Sequence, residues 1–208
     1  MSLPRTAVLT ARLTPVGLTV LVLVAAGLVG RLAGGPGPLI APHLHRVSLL
    51  IAAFAVQLAE PVIAREVAYS YPMCLAVSAT LMVQFAAGNL RVPGVALAAA
   101  GLCANAAVVI VNGAMPVSES AAARAGISAE QLHLDTDDRH EPLDGATELA
   151  MLGDRIPVPI PGRREVDSAG DLAIAAGAGL YLFAAAYRRG GLFRDNSGII
   201  ARWAPARY

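Results

Sequence analysis

The residues whose types and spacing could do chemistry fall into two groups. The dense group is residues 133–141, HLDTDDRHE. Closely spaced carboxylates suit a divalent cation, because Ca²⁺ and Mg²⁺ bind through oxygen. The stretch lacks the glycine and the closing glutamate of an EF-hand at their required offsets. A solvated acidic loop is therefore the preferred reading, with His133, Asp135, Asp137 and His140 kept as secondary metal candidates. The second group is polar residues in or beside apolar runs: Glu60, Asn105, Asn112, Asp154 and Asp171. Asn105 and Asn112 are seven apart, so on a helix they share a face with Gly101 and Val108. Gly101 admits a close neighbour, and the amides can bond across to it. Glue between helices is the first reading; a polar lining for a small ligand near the outer surface is the second. Glu60 follows Gln57 by three residues and precedes Pro61. It reads as a carboxylate reaching the membrane interface beside Arg65, or as a proton- or cation-binding group in a transporter, with Gln84 its partner or an independent interhelical bond. No G-x-S-x-G, H-E-x-x-H, P-loop, C-x-x-C or dinucleotide fingerprint occurs, so no catalytic residue and no cofactor is assigned.

The elements that must position these groups follow from composition. Of 208 residues, 56% are hydrophobic and 15% are charged, against about a quarter charged in soluble domains. Mean hydropathy is +0.58. The net charge of +1 excludes charge-driven nucleic-acid binding, and the apolar content excludes disorder. Crossing a ~30 Å hydrocarbon core takes roughly 20 apolar residues. Five segments come near that length: 13–30, 47–64, 68–87, 92–111 and 171–187. Backbone groups in lipid must be satisfied internally, which makes these runs helices. The expected fold is an all-α integral membrane bundle of about five transmembrane helices, a single membrane domain over 1–208 with a polar tail from 188. A cleaved signal peptide is the alternative for the first run, since Arg5 and Arg12 precede it and Val24-Ala25-Ala26 resembles a cleavage site. The run continues to Gly30, which argues against cleavage. Cys74 and Cys103 read as small buried apolar residues, and Tyr69, Tyr71 and Tyr187 as interfacial anchors.

The long segment 113–170 is the main aqueous part and holds eleven of the fifteen acids. Residues 118–132 read as a short helix opened by Ser118 or Ser120. Pro157, Pro159 and Pro161 alternate, which forbids helix and favours an extended strip packed across the bundle mouth. Gly113 followed by Pro116 stops the helix before the loop. Ser168 and Asp171 have capping-box spacing for the helix after it. All sixteen basic residues are Arg. Arg31, Arg46, Arg91, Arg188, Arg189, Arg194, Arg202 and Arg207 share the C-terminal face, against Arg5, Arg12 and Arg65 in the short segments of the other. The positive-inside rule then puts the C-terminus in the cytoplasm and the 113–170 loop outside the plasma membrane, with the loop's own five arginines counted as balanced surface charge.

Those punctuation motifs carry a resemblance. Residues 105–117, NAAVVIVNGAMPV, resemble the N…NG-x-MP-V signature of an uncharacterised family, a domain of unknown function, of small bacterial multi-pass membrane proteins. Residues 147–157, TELAMLGDRIP, look like its segment before the last helix, and 166–171, VDSAGD, are similar to its closing S-x-GD motif. The resemblance runs from the first helix through the fifth and singles out Gly113, Met115, Pro116, Ser168 and Gly170 as motif positions. It implies architecture without an activity. It also implies a basic loop after the first helix; here that loop is thinner, with His43 and His45 beside Arg46.

Three functions are expected in order. The first is a non-enzymatic accessory or scaffold membrane protein, its partners the bilayer and a membrane protein or a second copy of itself. The second is a small permease or ligand-binding membrane protein whose outer mouth is lined by Glu60, Asn105, Asn112, Asp154 and Asp171. The third is an extracytoplasmic metal-dependent enzyme built on the His/Asp cluster.

Overall fold

The computed structural model describes residues 16–34, 42–128, 132, 138–160 and 163–187. It is mostly helical. The long helices are α1 (Val16–Gly34), α2 (Val47–Ile63), α3 (Ser70–Ala87), α4 (Val95–Asn112) and α6 (Ala169–Tyr187). Between α4 and α6 lie β1 (Met115–Val117), the short α5 (Glu119–Ala125), β2 (His140–Pro142), a 3-10 turn (Ala150–Leu152), β3 (Ile156–Ile160) and β4 (Arg163–Asp167). Helices α3, α4 and α6 are long and apolar enough to cross a membrane; the apolar runs of α1 and α2 are 17 residues each. At ~1.5 Å per residue, 17 residues span roughly 26 Å, slightly less than a ~30 Å hydrocarbon core.

The helices form a row, α1–α6–α4–α3–α2, in which each packs chiefly on the next. Small residues set the central crossing. A β-carbon added to Gly101 of α4 or to Gly170 of α6 would collide with the other helix, Gly101 with the Gly170 carbonyl and Gly170 with the Asn105 carboxamide. The first helix extends past Gly30 and takes Arg31 into its last turn. Outward faces stay apolar and exposed, as at Phe54 (64%), Leu58 (80%) and Leu32 (85%).

The segment between α4 and α6 is a folded cap with a core of its own. Val117, Ala121, Ala122, Ala125, Ile127, Leu132 and Val166 are buried together. Pro157 and Pro159 of the proline strip lie in strand β3, which pairs antiparallel with β4 from Ile156↔Asp167 to Ile160↔Arg163 and packs on α5; Pro161 lies outside the described residues. The sequence reading has no partner for this strip, and β4 supplies it. Strand β1 pairs in parallel with β2, and its Val117 also bridges to Asp154. Helix α5 is shorter than the stretch 118–132; Ser118 caps it by accepting from the Ala121 amide, and Gly126 in the left-handed region ends it.

Candidate functional site

The polar residues singled out in the sequence gather at the seam between cap and bundle. Helix α6 begins at a complete capping box. The Asp171 amide donates to Ser168 Oγ (2.9 Å), and the Ser168 amide donates to Asp171 Oδ2 (3.0 Å). Asn105 of α4 joins it, its Nδ2 donating to Asp171 Oδ1 at 2.8 Å. The Ser168 hydroxyl lies within reach of both Asn105 Oδ1 (2.9 Å) and Asp171 Oδ2 (2.7 Å). Asn105, Ser168 and Asp171 are all buried. The network holds α4 against α6 where Gly101 and Gly170 allow close approach, and it satisfies orphan amides at the start of α6.

Asn112, one face-repeat further along α4, does not join that network. Its amide brackets the Glu148 peptide instead. Oδ1 accepts from Glu148 N (2.9 Å), and Nδ2 donates to the carbonyls of Glu148 (2.9 Å) and Val108 (2.8 Å). Gly113, at φ +91°, turns the chain out of α4 immediately after it. Met115 and Pro116 are buried in β1, where the Pro116 carbonyl accepts from Asp154 N at 2.8 Å. At the other end of the bundle Asn89 clamps a loop in the same way, exchanging bonds with the His45 amide and carbonyl (2.8 and 2.9 Å).

Glu60 is 2% exposed at the end of α2. It accepts from Ser70 Oγ (3.0 Å) and forms an ion pair with Arg139 of the cap. Arg139 also lies over the Tyr71 ring, 5.8 Å from its centroid. The expectation of Arg65 beside Glu60 is thereby corrected: the cap folds back over the bundle and delivers a more distant cation. Gln84 is exposed on α3 and is not the partner of Glu60.

Two acids that the sequence reading passed over complete the seam. Strand alternation puts Glu165 and Asp167 on one side of β4 and Val166 on the other, in the cap core. Glu165 caps α1 from 148 residues away: its carboxylate accepts from Gly17 N (3.0 and 3.1 Å) and Leu18 N (3.2 Å). That places a negative charge at the positive end of a helix dipole. Asp167 is fully buried, and neither side-chain oxygen has a hydrogen-bond partner among the described residues. Asp154, 5% exposed, has an unpartnered Oδ1 as well. Burial first, then the neighbouring Asp171 and Glu165, push the Asp167 carboxyl up to about 7. Burial, then Asp171 and Asp167, hold Asp154 well above the usual carboxylate range. The sequence signal for this pair is the E-x-D alternation running into the S-x-GD box.

A separate cavity of about 560 Å³ lies among the helices, with an apolar lining that includes Leu50, Phe54, Met82, Ala98 and Ile174. Glu60, Asn105, Asn112, Asp154 and Asp171 do not border it. Among the described residues no group of three His, Cys, Asp or Glu is arranged to hold a metal ion. His140 lies in β2, whereas His133, Asp135 and Asp137 are outside the described residues. Cys74 is buried and Cys103 half-buried, both as free thiols.

No curated protein and no solved structure matches the chain. A family model does, over residues 42–183, a stretch that begins after α1 and so is shorter than the span of the resemblance. With more than half its length matched, the chain belongs to the family of unknown function DUF5317.

Proposed function

We propose that this chain is a multi-pass membrane protein of accessory or scaffold type, whose folded cap is a rigid docking platform on the extracytoplasmic side. One observation carries the reading. Asn105, Asn112, Glu60 and Asp171 all bond between elements, tying α4 to α6 and the cap to α2 and α4. Four of the five polar groups expected to line a permease mouth are used as struts instead. The exposed apolar faces of α1 and α2 support five membrane-embedded helices, and the short-loop arginine bias supports a cytoplasmic C-terminus. Isolation of the full-length protein in a mild detergent is expected to retain a stoichiometric membrane-protein partner or a second copy. A solitary monomer from native membranes overturns the reading. Labelling of D135C and D195C in a C74A/C103A background with an impermeant maleimide tests topology: 135 is expected to react from outside the cell and 195 only after permeabilisation.

A further inference from the structure

We propose that Asp154 and Asp167 form a proton-binding site that latches the β3–β4 hairpin of the cap to the helix bundle, closed when the carboxyls are protonated and loosened as they ionise. The inference goes beyond the scaffold reading and does not depend on it. Its ground is geometric. Three buried carboxyl oxygens, Asp154 Oδ1 and both of Asp167, have no hydrogen-bond partner among the described residues. An ionised carboxylate in such a place needs donors or a counter-charge. The donors nearby are engaged elsewhere. The Ser168 amide and the Asn105 side chain go to Asp171, and the α1 amides of Gly17 and Leu18 go to Glu165.

The charged and titratable groups facing the pair add to the pressure. Asp171 faces it from α6 and Glu165 from β4 itself, while Tyr71 of α3 lies close to Asp154 and Asp171. Beyond Tyr71, the Arg139 cation is paired with Glu60. A proton is the ligand that removes one charge, turns an acceptor into a donor and needs no additional space. The elevated affinity of both carboxyls for it, with Asp167 near neutrality, agrees with the geometry.

The pair also sits where a latch has leverage. The Asp154 backbone bonds to Pro116 O and receives Ser118 N (both 2.8 Å), fastening it to β1 at the end of α4. The Asp167 carbonyl receives Arg155 N (3.2 Å), and the next residue opens the α6 capping box. Charging both carboxyls therefore strains the point where the hairpin, β1 and α6 meet.

The test is hydrogen exchange of the full-length protein in lipid nanodiscs, read by mass spectrometry on peptides covering 153–168 and corrected for intrinsic rate. Wild-type protection is expected to fall about tenfold or more between about pH 5 and about pH 8, and the D154N/D167N variant to show no such fall. Flat wild-type protection, or an identical fall in the variant, overturns the proposal. Infrared difference spectroscopy on wild type covers the case in which the double variant does not fold. A protonated-carboxyl band is expected to persist at about pH 5, above the ~pH 4 range where exposed Asp and Glu ionise, and to weaken as the pH rises to about 8. Its absence overturns the proposal.

Discussion

Replacing Arg139 with Ala would show whether the cap is fastened to the bundle by a single buried charge. Glu60 is enclosed, its side chain 3% exposed, whereas the Arg139 side chain keeps 35% of its surface in contact with solvent. The two ends of the ion pair are therefore unequal. Removing Arg139 leaves an acid inside the protein with the Ser70 hydroxyl as its one remaining donor among the described residues. Stripping one partner from a buried pair costs about 3–5 kcal/mol, and the solvent access on the arginine side places this case near ~3. Removing the acid instead, with Glu60→Gln, leaves a cation that water can reach, at about 1 kcal/mol. The double variant should cost less than the sum, since neutralising Glu60 removes the penalty that Arg139→Ala creates; a coupling of about 1–2 kcal/mol is expected. Arg65→Ala is the control, because Arg65 is exposed and its expected cost is within ~0.5 kcal/mol. Chemical unfolding of the wild type and the four variants in detergent micelles reads all of these. The reasoning fails if Arg139→Ala costs less than Glu60→Gln, or if Arg65→Ala matches Arg139→Ala.

Three further outcomes follow from the seam and the central crossing. Gly170→Ala forces a β-carbon into the Asn105 carboxamide and should destabilise by about 1–3 kcal/mol through overpacking, measurable as a lower Tm, whereas Gly145→Ala, which meets nothing within 4 Å, should not. Asn105→Ala removes a donor from buried Asp171 and an acceptor from Ser168, and should cost about 2–3 kcal/mol in the same assay. The Asp167 carboxyl is raised in the folded protein, from an ordinary 3.8 to about 7. Its stabilising contribution is thus complete below about pH 4 and is lost as pH rises through about 7, because the unfolded chain releases the proton first. The full span corresponds to ~4 kcal/mol, and Asp167→Asn should flatten that part of the pH profile of the unfolding midpoint.

How much of this was legible in the sequence differs between helices and cap. The long helices are visible in the chain alone because lipid-compatible runs are long, apolar and internally hydrogen-bonded, so their identity needs no partner. Local punctuation is equally legible. Gly113 after Asn112 and the Ser168–Asp171 box act within a few residues, and both stand in the structure at those positions. The heptad spacing of Asn105 and Asn112 shows a shared face but not a shared purpose. Seven helical residues of rise, about 10 Å, carry Asn112 out of the α6 crossing and into the cap, where the Glu148 peptide takes it.

Tertiary structure alone decided which distant groups meet. Arg139 reaches Glu60 across 79 residues, and Glu165 reaches the start of α1 across 148. Neither contact leaves a periodic or local signal, because long-range pairing is set by how the cap folds on itself and comes to rest. The partner of the proline strip was likewise invisible until β4 lay beside it. Asp167 shows the limit most sharply. In the sequence it is one acid among eleven in the long segment 113–170, with nothing to set it apart. Folding buries it with no donor among the described residues, so burial, which no single residue encodes, turns an ordinary carboxyl into a group that titrates near neutrality.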